Sequence, residues 1–242
     1  MISPSTIDAL SRIQARAQDV MQAYRSGASG TYTDVNIGSR PPEVTNDALS
    51  VAVPTNAFLA TRTADGAPAF TRDGGLSIRG GALVTSDGSP VLGYPADAAR
   101  GSIPVPLQLP AADVALGRCD DVRIESDGTL AFTRASIDPR TTARTVERVA
   151  AGTVALARFP AGTQPIRLDA TRAAAPAGIP PHFGTPEDGT FGGLATYSRD
   201  VGSVDVDTSL AKLSEAYLAF SALHAAQKAH GGTEKTTMDL IK

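Results

Sequence analysis

Residues 70–93 read FTRDGGLSIRGGALVTSDGSPVLG, a stretch in which Asp-Gly or Gly-Gly pairs separate short apolar runs. The pairs are Asp73-Gly74, Gly80-Gly81 and Asp87-Gly88. Such pairs favour two-residue hairpin loops, because a type I′ turn needs positive φ at both central residues and glycine adopts positive φ without steric cost. The stretch therefore predicts a β-meander of very short strands.

Strand-like runs also flank this stretch. LSVAV and AFLATRT precede it, and VPLQL, VRIES and TLAFTR follow it. Asp127-Gly128 is expected to close the last two runs into a hairpin, and VERVAAGTVALARF is expected to form a strand pair around Ala151-Gly152. Residues 170–191 are rich in Pro, Gly and Ala and have no periodicity. The middle of the chain is therefore predicted to be a small all-β domain of short hairpins with long loops.

Both ends of the chain carry apolar residues three or four positions apart, which is typical of amphipathic helices. We expect one helix from about residue 5 to Ser26-Gly27 and another over residues 207–230, ended by Gly231-Gly232. The seam residues are Leu10, Ile13, Ala17, Val20 and Tyr24 in the first helix, and Leu210, Leu213, Tyr217, Phe220 and Leu223 in the second. Periodicity alone leaves open whether each helix packs on the β part or the two pair as a coiled coil.

The predicted organisation has four segments: an N-terminal helix (1–26), an extended linker (27–49), a β-rich domain (50–200) and a C-terminal helix (201–242). The linker is expected because residues 27–49 are rich in Gly, Ser, Thr, Asn and Pro. The fold class is thus mostly β with α-helical termini.

Composition narrows the classes of partner. The 242-residue chain has a formal net charge of −3 and no cluster of Lys and Arg, so we expect neither nucleic acid nor an anionic membrane as partner. No window approaches the apolar length of a transmembrane helix, and the N-terminus lacks the pattern of a cleaved secretory signal. Cys119 is the single cysteine, which excludes an intrachain disulfide and is expected to be a packed, inert side chain.

Candidates for catalysis are few. His224 and His230 lie six positions apart, unlike the i, i+4 spacing of a helical zinc pair, and His182 lies in a Pro-rich loop. Most Asp-Gly carboxylates are explained by turn chemistry. We therefore expect no catalytic residue, no bound metal and no cofactor.

An ordered set of residues between positions 56 and 93 matches a known pattern. The set is Phe58, Asp65-Gly66, Phe70-Thr71-Arg72-Asp73-Gly74, Leu83-Val84-Thr85, Asp87-Gly88 and Val91-Leu92-Gly93. It resembles the segment shared by the rod and hook proteins of the bacterial flagellum, and weaker similarity extends over residues 48–242. The run of asparagines that the family carries after its first helix is replaced here by YRSGASGTYTDVNIGSR.

The resemblance implies a structural subunit of the flagellar basal-body rod. Such subunits pass unfolded through the flagellar type III export gate without a cleaved signal and assemble in the periplasm. It implies that the terminal helices line the inside of a tubular helical homo- or hetero-oligomer. We also expect these helices to pair as a coiled coil and to fold on assembly, because narrow apolar stripes cannot bury themselves alone and neighbouring subunits would cover them. The expected partners are other rod and hook subunits. The chain length favours a proximal rod subunit, with a distal rod subunit as the alternative.

Two other interpretations remain open. The chain could be a secreted or surface β-rich binding module whose helices form an oligomerisation stalk. It could also be an enzyme with a site built from loops, in which Asp188, His182 and Arg199 would be the first candidates.

Overall fold

The computed structural model of the chain describes residues 4–23, 25–30, 40–99, 101–137 and 144–240, without the side chains of 136, 137, 144 and 230–240. The described residues form two compact units. The helical unit contains residues 4–23, 30 and 204–240, and the β unit contains residues 25–29, 40–99, 101–137 and 144–203.

Helices form at both ends of the chain, as the apolar periodicity predicts. Helix α1 spans Pro4–Gln22, a short helix α2 spans Ala111–Ala115 within the β unit, and helix α3 spans Val206–Leu240. The prediction that α3 ends at Gly231-Gly232 is wrong, because the helix continues to its last described residue. A glycine inside a helix costs only about 1 kcal/mol relative to alanine, which need not end the helix.

The two long helices contact each other within the helical unit. Gln227 Nε2 donates a 2.9 Å hydrogen bond to Thr6 Oγ1, near the start of α1. The groove between the helices joins the following residues 8–16 of α1 to the preceding residues 212–223 of α3, so the helices are antiparallel. None of the helices in the described ranges is long and apolar enough to span a membrane.

The strands of the β unit are short, as the frequent glycine breaks predict. In chain order the described strands are β1 (Glu43–Val44), β2 (Val51–Ala52), β3 (Phe58–Arg62), β4 (Pro68–Thr71), β5 (Ser77–Arg79), β6 (Ala82–Val84), β7 (Leu92–Pro95), β8 (Val105–Pro106), β9 (Cys119–Ile124), β10 (Thr129–Ile137), β11 (Arg144–Val154), β12 (Leu156–Arg158), β13 (Ile166–Arg167), β14 (Arg172–Ala174), β15 (His182–Gly184), β16 (Ala195–Thr196) and β17 (Ser198–Arg199).

Two larger sheets organise these strands. One has the order β13-β14-β4-β3-β12-β15 and the other the order β8-β7-β11-β10-β9, and every pairing within them is antiparallel. Three two-stranded sheets, β1-β17, β16-β2 and β5-β6, complete the unit. The mostly β fold with helical termini is thus confirmed.

Two of the predicted hairpins are present. Gly80-Gly81 joins β5 to β6, and Asp127-Gly128 joins β9 to β10. The Gly at the second position of each pair has positive φ, 84° at Gly81 and 79° at Gly128. Residues with side chains avoid this conformation, so the glycines permit the tight turns.

Two other turn predictions are wrong. Asp73-Gly74 does not close a hairpin, since β4 pairs with β3 and β14 while β5 pairs only with β6. Strand β11 continues through Ala151-Gly152 with a bulge at Ala151, and the chain leaves it only at Ala155, before β12 joins the other large sheet. The Gly152 position is crowded by the Tyr94 carbonyl and the Leu107 side chain, so this glycine serves close packing and not a turn.

The main core of the β unit is aliphatic, because the chain has no Trp and few other aromatic residues. It gathers residues from both large sheets and the connections between them: Val51, Leu59, Leu83, Val91, Leu107, Ile124, Leu130, Phe132, Val154 and Leu156 are among its buried members. Burying such side chains is the dominant favourable contribution to folding.

Candidate functional site

The seam predicted on α1 is only half covered. Ile13, Ala17 and Val20 are partly buried, whereas Leu10 retains 43% of its surface exposed. Tyr24, the last predicted seam residue, lies outside the described residues. The one buried side chain of α1 is that of Asp19, so no apolar side chain of this helix is buried.

The seam predicted on α3 is also incompletely covered. Leu213, Phe220 and Leu223 are partly buried, while Leu210 and Tyr217 are 45% and 63% exposed. The structure thus places three predicted residues of each helix on partly covered surface and leaves the others in solvent.

The large apolar residues of helix α3 are spread around it. At about 100° per residue, those between 210 and 223 extend over more than half of the turn, with polar residues such as Lys212 and Ser214 between them. The neighbouring Leu218, which the predicted seam does not include, is 69% exposed. Several large apolar residues exposed on one helix are typical of an interaction surface.

A groove of about 740 Å³ lies between the two helices within the helical unit. The residues that line it include Ala9, Ala216 and Ala219, whose small side chains leave room for another chain. Charged residues of both signs also line it, including Arg12 and Glu215. The helical unit therefore has both exposed apolar residues and a concave surface.

Arg72 belongs to the sequence pattern between positions 56 and 93, and its side chain is buried in the β unit. Its two terminal nitrogens donate to the carbonyl oxygens of Val53 at 2.5 Å, Pro54 at 2.8 Å and Ala57 at 2.5 Å. Arg72 Nη2 also forms a 2.7 Å ion pair with Asp200 Oδ2. We call this set of contacts the arginine clamp.

The clamp joins segments that are far apart in the sequence. Asp200 accepts a further hydrogen bond from Val53 N at 3.3 Å through its carboxylate. Its backbone carbonyl accepts from Gly27 N at 3.1 Å and from Ser26 Oγ at 3.3 Å. The segments that follow α1 and precede α3 therefore both bind at this point of the β unit.

Burial opposes charge on both members of the ion pair. Desolvation raises the pKa of the Asp200 carboxyl, and the positive charge of Arg72 only partly reverses this. Desolvation likewise lowers the pKa of the Arg72 guanidinium, against the effect of Asp200. The pair depends on its hydrogen bonds to remain ionised, so it is sensitive to the loss of either partner.

Thr71 and Asp73 continue the clamp on either side of Arg72. Thr71 Oγ1 donates to the Thr171 carbonyl at 2.7 Å and accepts from Asp73 N at 2.9 Å. The buried Asp73 carboxylate accepts from Gly75 N at 3.1 Å and from the backbone and hydroxyl of Ser86. Burial raises the pKa of Asp73. This inward carboxylate explains why Asp73-Gly74 is not a hairpin turn.

Two glycines allow the backbone to approach the clamp closely. A side chain at Gly74 would collide with the Val51 carbonyl oxygen, and one at Gly27 would collide with the Arg72 backbone. Gly27 also has a φ of 65°, which favours glycine. Residues 27–29, predicted to begin an extended linker with little core, are instead buried in the β unit.

Asp87 and Gly88 form the tight turn that the sequence predicts, with Thr85 N donating to the Ser89 carbonyl at 3.0 Å. Burial acts to raise the pKa of Asp87, but hydrogen bonds from Thr85 and Ser89 and the nearby charge of Arg172 together lower it. Arg172 Nε lies 3.4 Å from Asp87 Oδ2 and 2.6 Å from Asp169 Oδ2. This turn is therefore tied electrostatically to strand β14.

The aromatic motif residues Phe58 and Phe70 form a small second core with Phe159. The ring of Phe159 meets those of Phe58 and Phe70 edge to face, at centroid distances of 5.7 and 5.1 Å. Edge-to-face pairs of this kind stabilise a core beyond their area of contact. Phe58 and Phe70 thus have a packing role in this second core.

The three candidates for a loop-built enzyme do not form one constellation. The Asp188 carboxylate accepts three backbone N–H groups of its own loop, which together with the charge of His182 lower its pKa against the effect of burial. Arg199 forms an exposed ion pair with Glu43 at 2.8 Å, and the structure records no contact between Arg199 and Asp188 or His182.

The remaining titratable candidates are also separate. His224 stacks on Phe220 at 6.4 Å, and His230 lies in α3 with its side chain outside the described set. Cys119 is partly buried, and burial raises the pKa of its thiol. In the described parts of the chain, no three His, Cys, Asp or Glu side chains are grouped as a metal site would need.

Neither a protein-family model nor a curated protein matches the sequence.

The sequence motif identifies the clamp residues but not their partners. Nothing in the local pattern links Arg72 to Asp200, since 128 positions separate them. What the sequence does show is that Arg72 stands next to a threonine, an aspartate and a glycine, within a series of otherwise apolar strands. That pattern is compatible with a turn as well as with a buried cation.

Proposed function

We propose that the chain is a structural subunit of the bacterial flagellar basal-body rod that polymerises through its terminal helices. The observation that carries the proposal is the group of large apolar side chains that α3 leaves exposed, namely Leu210, Tyr217 and Leu218. Such a surface is expected to be buried in an assembly.

Two further features support this proposal. Arg72, one of the residues that resemble the rod and hook family, is the centre of the arginine clamp, and its partner Asp200 also binds Gly27 and Ser26 within the β unit. In the assembly the two antiparallel helices would pair as a coiled coil, with neighbouring subunits covering the rest of α3.

The proposed subunit is not an enzyme and works in the periplasm after export without a cleaved signal. Its partners are other rod and hook subunits in a helical oligomer. Proximal rod is the preferred position, because of the chain's modest length, and distal rod is the alternative.

Localisation tests this function. Immunoblots of purified hook-basal bodies should detect the tagged protein in cells with a working flagellar export ATPase and not in cells without one. A tagged periplasmic protein that uses a cleaved signal serves as the control for general secretion. Presence in the medium independently of flagellar export, and absence from basal bodies, would instead favour the β-rich binding module with a helical stalk.

A further inference from the structure

The ends of strands β12 and β15 bring two basic side chains together in the β unit. Arg158 lies directly opposite His182 in the antiparallel register, so the two side chains are on the same face of the sheet. Phe191, only 3% exposed, lies beneath both: the Arg158 Cζ is 4.9 Å from its ring centroid, and the His182 ring is parallel to it at 6.2 Å. The aromatic ring therefore fixes a guanidinium beside an imidazole.

Two neighbouring cavities open along this segment. One of about 420 Å³ is lined by Arg158 and His182 together with Pro180 and Pro181. The other, of about 490 Å³, shares residues 158–161 and adds the polar side chains of Asn56 and Gln164. Each has the size of a site for a small organic ligand or a few residues of peptide.

The linings of these cavities contain basic residues and no acidic ones. Neither lining includes an Asp or a Glu, although the chain has 25 of them. Within the described residues the terminal nitrogens of Arg158 form no ion pair or hydrogen bond, whereas its Nε is buried and lies out of reach of a ligand. The nearby Asp188 carboxylate already accepts three backbone N–H groups of its own loop. The two terminal nitrogens of Arg158 therefore remain available to a ligand.

We propose that these cavities bind a peptide carboxylate that is flanked by apolar side chains. A guanidinium matches a carboxylate with two parallel hydrogen bonds, and the phenylalanine and proline walls suit apolar neighbours. The same guanidinium could pair with a phosphate, but the phenylalanine and proline walls suit a ligand with apolar groups beside its anion, which inorganic phosphate lacks. This inference does not depend on the proposed flagellar function, because binding is measured on the purified chain.

Titration of the ¹⁵N-labelled chain followed by NMR tests the site. The probes are acetyl-Leu-Glu-Leu-amide, acetyl-Leu-Leu with a free carboxylate, the neutral acetyl-Leu-Gln-Leu-amide and inorganic phosphate. Either carboxylate peptide should shift the amide signals of Asn56, Gln164 and His182, and the tighter of the two identifies an acidic side chain or a chain end as the natural ligand. Arg158→Gln should weaken binding at least tenfold, and Arg158→Lys, which keeps the charge but not the planar fork, should weaken it less.

Arg118→Gln is the matched control, because Arg118 is exposed and its side chain forms no ion pair in the described part of the chain. Its affinity should equal that of the unmodified protein, and the NMR spectrum of each variant reports whether it is folded. Equal affinity of Arg158→Gln, equal affinity for the glutamine peptide, tighter binding of phosphate than of either carboxylate peptide, or no shifts at millimolar peptide would each overturn the proposal.

Discussion

Arg72 holds distant backbone segments together with one side chain. Its guanidinium satisfies three carbonyl groups between residues 53 and 57 and neutralises Asp200, all without contact with solvent. Burying two charges is costly, and the cost is recovered only while the geometry and the hydrogen bonds are complete. Removing one member therefore harms stability more than the net contribution of the pair would suggest.

Replacing Arg72 tests this account. Arg72→Met should destabilise the β unit by about 3–5 kcal/mol, because Asp200 is left buried without its cation. Arg199→Met is the matched control: its ion pair with Glu43 is exposed, so the loss should stay below about 1 kcal/mol. Urea unfolding followed by circular dichroism measures both. The double variant Arg72→Met/Asp200→Leu should lose less than the sum of the single variants, and strict additivity would argue against coupling between the two residues.

Gly74 is required by crowding and not by a turn. Gly74→Ala should cost about 3 kcal/mol or more, since the added methyl group collides with the buried Val51 carbonyl. Gly66→Ala provides the comparison, because Gly66 has a φ of 87° but open space around it, so only backbone strain of about 1 kcal/mol is expected. Thermal unfolding of the two variants gives the difference. A milder effect at Gly74 than at Gly66 would contradict the packing argument.

The carboxyl groups of Asp87 and Asp169, beside Arg172, should make the free energy of unfolding depend on pH. The pKa values of Asp87 and Asp169 are lowered: burial acts to raise both, but hydrogen bonds and the Arg172 charge outweigh it. Their contribution is therefore full above the unfolded-state pKa of about 3.9 and is lost as the pH falls through the lower folded values. Arg172→Gln should lower stability by about 1 kcal/mol at pH 7, because the partly exposed pairs are screened, and the difference from the unmodified protein should shrink below about pH 4.

Urea unfolding between pH 2 and pH 8 measures this pH dependence. Arg118→Gln, whose side chain lies outside the cluster, should follow the pH profile of the unmodified chain. Asp73 and Asp200 contribute with the opposite sign, because burial raises their pKa values and the folded state then binds protons more readily. They are present in all three proteins and cancel in the comparison. A difference that stays constant to pH 2 would exclude the proposed electrostatic role of Arg172.

Among the single elements, local sequence patterns correctly predict those helices and hairpins whose formation depends on neighbouring residues alone. The terminal helices and the Gly80-Gly81 and Asp127-Gly128 hairpins follow from periodicity and from glycine's access to positive φ. The failures at Asp73-Gly74 and Ala151-Gly152 have one cause. In both places the glycine accommodates a distant backbone group, and a sequence pattern does not report which distant group will approach. The partnership of Arg72 with Asp200 was unpredictable for the same reason.

Helix α3 gives the element-scale prediction. Phe220→Asp should prevent incorporation into the assembly, because it replaces a partly buried apolar side chain of α3 with a charge. Ala226→Asp adds the same charge at an exposed position on the side of the helix away from Leu210, Tyr217 and Leu218, and it should be tolerated. Basal-body fractions report assembly, and calorimetry of the purified variants reports the β unit, which should unfold normally in both. Assembly of Phe220→Asp at the unmodified level would refute the role of this surface.

For the whole molecule, burial is divided unequally between the two units. The β unit has a large aliphatic core and a second aromatic one, whereas the described side chains of α1 and α3 include no buried apolar residue. Isolated helices are marginal in water without an apolar face to bury. The helical unit therefore has little of its own to hold it folded, and its stability should come from neighbouring subunits.

Hydrogen exchange separates the two units in one measurement. In a monomer verified by sedimentation, amides of residues 4–22 and 206–229 should exchange at least about a hundredfold faster than those of β3, β10 and β12, because opening a segment costs only the contacts that it buries. Phe220→Asp should leave exchange in the strands unchanged, since none of the strand core depends on that residue. On assembly the same helical amides should become as slow as the core, because each helix then buries its apolar surface. Helices that are protected like the strands in the monomer would mean that the two terminal helices are stable without neighbours, and folding on assembly would have to be abandoned.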